Sequence, residues 1–195
     1  MKERVREILD LEAKAIQNIP LDDRISEAIN AIVNCKGKVF TAGIGKAGYV
    51  ARKTASTLST TGTPSVFVHP ADASHGDVGV VRPDDILLAF SNSGKTREVI
   101  ELALFCKHLG VETIISVCST QDSPLGQEST IVLEIGKIDE ACPFGLTPTA
   151  STSAMIALTD AIALITMQER GFSREDWADR HHGGYLGKKS RGVDE

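Results

Sequence analysis

Two short stretches of this chain carry side chains and spacings suited to holding a small anion. Ser91-Asn92-Ser93-Gly94-Lys95-Thr96 gathers three hydroxyls and a run of backbone N–H groups around one glycine. Such a turn can cradle a phosphate without much positive charge. Serine is also a good helix N-cap, so Ser91 or Ser93 has a purely structural reading. One hydroxyl suffices for a cap, and three exceed it, so the phosphate reading is preferred. Gly43-Ile44-Gly45-Lys46-Ala47-Gly48 matches Gly-x-Gly-x-x-Gly, the pattern of a dinucleotide-binding turn. The acid expected about 20 residues further on is not evident, because the next β-rich run ends at His69-Pro70. Lys46 at the mouth of the turn suits a small anion better. A nicotinamide enzyme, or a glycine turn with no ligand, is the lesser alternative.

These loops need a scaffold, and the hydrophobic pattern supplies one. Val5, Ile8, Leu9, Leu11, Ala15, Ile16 and Ile19 recur at helical spacing until Pro20 stops them. A second helix is expected from Leu21 to about Asn34. The period then changes to short β-rich runs at 38–42, 65–69, 86–90, 113–117 and 130–135. Their near-continuous apolar character predicts strands buried on both faces, as in a parallel sheet. Helical patterns at 47–60, 96–109 and 151–170 lie between or after them. That alternation predicts an open, doubly wound α/β sheet, with ligands beyond the carboxyl ends of the strands. Gly110 and Gly171 fall where helix C-caps favour a left-handed residue. Ser173 and Asp176 have capping-box spacing for a last short helix. We expect a single domain over 1–195, with N-terminal helices in 1–36 and the α/β core and C-terminal segment in 37–189.

Composition narrows the class. The chain has 195 residues, 42% hydrophobic and 24% charged, with a formal net charge of −5. That balance argues against nucleic acid as the main partner, yet local dipoles and one lysine can still attract an anionic substrate. Cys35, Cys106, Cys118 and Cys142 are far apart with no C-x-x-C pair, so reduced thiols in a cytosol are expected. The N-terminus is charged throughout, which predicts no signal peptide. The apolar stretch 154–167 is broken by Asp160 and is too short to span a bilayer. A cytoplasmic protein that uses no membrane is expected.

Other polar residues have competing readings. Glu98 falls in the first turn of an expected helix, where an acid suits the macrodipole whatever the function. Glu140 sits in a loop with no periodic role, which favours function. His181 and His182 follow a short helix and suit its C-terminus. His75 reads first as a loop-fixing hydrogen bond, then as a sugar-hydroxyl contact, then as a metal ligand. The hydroxyls of Thr147 to Ser153, Thr149 among them, either bind substrate or cap the helix that follows. The five histidines lack H-x-H or H-E-x-x-H spacing, so no metal site is expected beyond inhibition by adventitious zinc at His75 or His181.

Taken together, the segment 91–98 resembles the phosphate-binding signature of SIS (sugar isomerase) domains. The segments 43–48, His69 to Asp77, Glu140 to Thr149 and His181 to Lys188 resemble those of arabinose-5-phosphate isomerases. The likeness runs from the N-terminal helices to Lys189. It implies a five-stranded parallel SIS sheet, flavodoxin-like in type, and interconversion of ribulose 5-phosphate and arabinose 5-phosphate toward the lipopolysaccharide sugar Kdo, with no cofactor. By the same resemblance Lys46, Glu98, Glu140 and His181 match the catalytic set. Gly45, His75, Ser91, Asn92, Ser93, Thr96 and Thr149 fall in its substrate site. A homotetramer with active sites shared between subunits is implied too. Many members carry paired CBS domains after the SIS domain, and these are expected to be lacking here. His182 replaces a proline of the family's His-Pro-Gly-Gly, and Asp72 a common glutamate. Which of Glu98 and Glu140 is the base stays open. Isomerases of hexulose 6-phosphate or sedoheptulose 7-phosphate, and non-catalytic SIS sensors of sugar phosphates, are the alternatives.

Overall fold

The computed structural model describes residues 1–181, 187–189 and 191–192. Two helices lead, α1 (Lys2–Gln17) and α2 (Asp23–Asn34), followed by β1 (Val39–Gly43), α3 (Gly45–Thr60) and β2 (Ser65–Phe67). A short helix α4 (Pro70–Ala73) and a 3-10 turn (Asp77–Val80) precede β3 (Ile86–Phe90), α5 (Arg97–His108) and β4 (Thr113–Cys118). Then come α6 (Pro124–Gln127), β5 (Ile131–Glu134), the long α7 (Ala150–Glu169) and α8 (Arg174–Arg180).

All strand pairs are parallel, in the order β2-β1-β3-β4-β5. Alternation along each strand sends side chains to opposite faces, and two cores result. Ile86, Leu88 and Phe90 of β3 join a core roofed by α1, α2, α3 and α7. Leu87 and Ala89 face a second core under α5, Ala73 and Val78. The three inner strands are buried along almost their whole length.

Two expectations need correction. The second strand ends at Phe67, although His69 keeps an extended backbone: Pro70 opens α4 at its first position, and His69 stands at the N-cap of that helix. That strand is also an edge, with Val66 41% exposed, and is not buried on both faces. The second helix starts at Asp23 rather than Leu21, since the Asp22 side chain accepts the Arg24 N–H at its N-cap. The capping box of α8 forms as expected, and Gly110 and Gly171 take positive φ. Helix α7 has the length and apolar character to cross a membrane, but half of that stretch is buried within the protein, where it packs against α1, α2 and α3.

The strand order places its reversal between β1 and β3: the chain leaves β1 toward β2 on one side and runs on through β4 and β5 on the other. Gly43 pairs with Phe90, so the two anion-type loops leave the sheet side by side. This is the crevice in which such sheets bind ligands.

Candidate active site

The loop after β3 is pinned at both ends. Ser91 is buried and donates its N–H to Val117, Asn92 accepts from Ser119, and the Gly94 carbonyl accepts from Leu125. Helix α5 begins only at Arg97, with Thr96 at the N-cap. The Thr96 hydroxyl does not cap the helix; it bonds to Ser91 Oγ at 2.9 Å. Ser93 Oγ accepts the Lys95 N–H at 3.2 Å and is exposed. The capping reading of Ser91 and Ser93 therefore fails, and the Arg97 and Glu98 N–H groups at the start of α5 have no intrahelical acceptor. The Asn92 Oδ1 atom is enclosed without a hydrogen-bond partner. Gly94 has φ +63°, and an added Cβ would lie 2.1 Å from Ser123 Oγ. We expect Gly94→Ala to lower stability by about 1–3 kcal/mol, read as a reduced urea midpoint. A midpoint equal to wild type would mean that the loop relaxes freely.

The loop after β1 divides its glycines between two jobs. Gly45, at φ +59°, lets the chain turn into α3. A Cβ on Gly48 would meet the Gly43 carbonyl at 2.6 Å, so Gly48 permits close packing of helix on strand. Lys46 is exposed in the first turn of α3.

Glu98 stands in the first turn of α5, as expected, and lines a small cavity of about 60 Å³ with Pro70, Ala73, Val78, Leu102 and Phe105. The cavity lies beside the crevice, on the α5 face of the sheet. His75 is exposed in the turn between α4 and the 3-10 turn, where its own N–H donates to Asp72.

Glu140 has a structural partner that periodicity could not reveal. Its Oε2 accepts the N–H groups of Thr149 and Ala150 at 2.8 and 2.9 Å, and the Ser151 hydroxyl donates to Oε1. A carboxylate from the loop leading into α7 thus caps this 20-residue helix, as the macrodipole favours. Ser151 is fully buried beside this carboxylate, and its only signal in the sequence is a hydroxyl at a helix start. In the same loop, Cys142 Sγ accepts N–H bonds from Leu146 and Thr147, each 3.2 Å. Donors from Thr147 first, then Leu146, pull the thiol down to about 6.

Helices α3 and α7 run parallel. Thr54 bonds to Thr159, Lys53 pairs with Asp160, and Arg170 reaches the Gly62 carbonyl. The near-constant offset brings the first residues of α7 level with Gly45 and Lys46. The carboxylate of Glu140, Thr149 and Lys46 therefore share the carboxyl-end layer with the Ser91–Thr96 loop.

His181 does not join them within its own chain. Its ring stacks on Trp177 with centroids 3.7 Å apart, and Nδ1 lies 2.9 Å from the Trp177 carbonyl oxygen. The neighbouring Arg180 lies over Phe172, whose ring covers Gly62 at the far end of α3. Since α7 carries the chain about 30 Å down the sheet, this segment lies at the amino-terminal edge of the strands. His182 and the glycines after it lie outside the described residues. Among the described residues no cluster of three or more His, Cys, Asp or Glu could hold a metal ion.

Comparison with known proteins matches residues 32–165 to the SIS domain. Arabinose 5-phosphate isomerase KdsD of Pseudomonas aeruginosa is 43% identical over 183 residues, 93% of this chain and 56% of that protein. KpsF of Escherichia coli, also an arabinose 5-phosphate isomerase, is 41% identical over 95% of this chain and 57% of its own length. The chain thus spans little more than half of these relatives. Among solved structures, a Bacteroides fragilis protein involved in capsule formation superposes with a TM-score of 0.91 at 43% identity, covering 95% of this chain and 99% of that one. The E. coli CFT073 protein c3406, solved in complex with arabinose 5-phosphate, gives 0.87 at 35% identity over 91% and 95% of the two chains.

Proposed function

Because this chain belongs to the SIS-domain family, we propose that its crevice binds a phosphorylated pentose and isomerises it between D-ribulose 5-phosphate and D-arabinose 5-phosphate. The observation that carries this reading is the Ser91–Thr96 loop, whose hydroxyls are not spent on capping α5. The sugar-phosphate complex of c3406, on the same fold at 35% identity, supports it. In this reading Ser91, Asn92, Ser93 and Thr96 hold the phosphate, with Gly45 giving it backbone access and His75 and Thr149 at the sugar hydroxyls.

The chemistry is an internal exchange of oxidation level. A base removes a proton from the carbon next to the carbonyl, an enediolate forms, and the proton returns to the neighbouring carbon. One carbon is reduced as the other is oxidised, so the reaction balances without a redox cofactor. Lys46 at the helix terminus stabilises the oxyanion. Glu98 is the better candidate for the base, because both Glu140 oxygens already accept bonds from the start of α7. Glu140 then orders the Thr149–Ser151 corner against the sugar, and His181 from a neighbouring subunit shuttles protons between oxygens. The reading includes a cytoplasmic homotetramer supplying Kdo synthesis.

Ser93→Asp tests the phosphate site. A carboxylate there repels the phosphate, and KM for ribulose 5-phosphate is expected to rise more than about tenfold with an unchanged melting temperature. An unaltered KM would reduce the loop to a structural turn. A panel of ketose phosphates, with products identified, separates the pentose reading from the hexulose and sedoheptulose ones.

A further inference from the structure

A second groove opens on the roof of the sheet, between the end of α1 and the segment that follows β5. It encloses about 350 Å³, within the range of small-molecule sites. Lys14 of α1 and Asn18 just after it line one wall, Lys137 and Asp139 the opposite one, over the apolar surfaces of Leu11 and Ile138. Neither lysine belongs to an ion pair among the described residues. Lys14 sits in the last turn of α1, where the helix dipole alone would favour it. Lys137 has no such role. The lining holds two lysines and one aspartate, a net positive set in a chain of net charge −5. The carbonyl end of α1 weakens an anion there, but it carries only partial charge.

The two walls are also the two elements that hold Glu140. Lys137, Ile138 and Asp139 lead directly into it. From α1, Arg4 donates to the Ala141 carbonyl at 3.1 Å, and Glu12 accepts from Ser153 in the first turn of α7. Lys137 precedes Glu140 by only three residues, so a ligand held between Lys14 and Lys137 bears on the segment that places Glu140 against α7.

We propose that this groove is an effector site for a small metabolite carrying one oxyanion, phosphate or carboxylate, on an uncharged ring. Binding does not depend on the isomerase reading; its coupling to turnover rests on that reading. The test uses phenyl phosphate and benzoate as probes on the full chain. Saturable heat of binding is expected for the matching oxyanion, with hydrogen-exchange protection of residues 135–141. Lys14→Ala/Lys137→Ala should weaken Kd at least about tenfold while its turnover without probe stays at the wild-type value. In wild type, saturating probe should change kcat without acting as a competitor, and the double variant should lose that response. Protection confined to residues 91–96, or an unchanged Kd in the double variant, would overturn the site. Binding with no change in kcat would overturn the coupling. If the chain isomerises no sugar phosphate, protection and Kd still decide the site.

Discussion

Replacing Lys46 with alanine is expected to lower kcat/KM for ribulose 5-phosphate by roughly a hundred- to a thousandfold, the usual loss when a preorganised oxyanion partner is removed. Stability should hardly move. Lys46 is exposed in the first turn of α3, so alanine leaves no cavity, and exposed changes of this kind cost within about 0.5 kcal/mol. Alanine is also a better helix former than lysine. The informative outcome is the combination: an unaltered melting temperature with turnover almost gone. Arginine at this position should recover only part of the rate, since its planar guanidinium sits differently from a compact ammonium group. Wild-type turnover in Lys46→Ala would remove the lysine from the mechanism and leave the glycine turn as a packing device.

The second large effect concerns assembly. Glu98→Ala and His181→Ala should each be nearly inactive alone, yet regain activity when co-expressed or refolded together. Within one chain His181 is stacked on Trp177 near the amino-terminal edge of the sheet, while Glu98 stands at the carboxyl end. A site needing both must draw them from different copies. Random pairing of two variants restores about one site in four with both groups intact, given closed symmetry. Recovery near that fraction in demonstrably mixed oligomers is the expected result. Mixed oligomers with no recovery would sink the shared site. Single variants that keep their activity would remove the residue concerned from the catalytic set.

Much of this arrangement was legible from residue types alone. The runs at 86–90 and 113–117 read as strands because continuous branched apolar side chains suit a backbone buried on both faces, and both lie inside the sheet. Glycines at 43, 45 and 48 announced a tight strand-to-helix turn, since their roles depend on missing side-chain atoms and on φ. The hydroxyl-rich loop follows β3 as its spacing predicts, with Ser91 and Thr96 bonded to each other rather than capping α5. At the sheet edge the same reasoning overran, because Val68 and His69 satisfy β patterning while Pro70 opens α4 and leaves His69 as its N-cap.

Sequence by itself therefore determined the α/β alternation, the parallel sheet and the two loops at its carboxyl ends. These follow from local periodicity and backbone chemistry, each encoded within a few adjacent residues. The tertiary structure alone decided which loops become neighbours and what each carboxylate touches. Glu140 looked unattached because its partners, the N–H groups of Thr149 and Ala150 and the Ser151 hydroxyl, become donors only once α7 starts there. Ser91 and Ser93 had a capping reading until α5 began only at Arg97, with Thr96 at the N-cap and its hydroxyl turned to Ser91. His181 was assigned by resemblance, and only the course of α7 down the sheet put it at the wrong end of its own chain. Hydrogen-bond partners and distances between sites depend on the path of the whole backbone, and no short window of sequence carries that information.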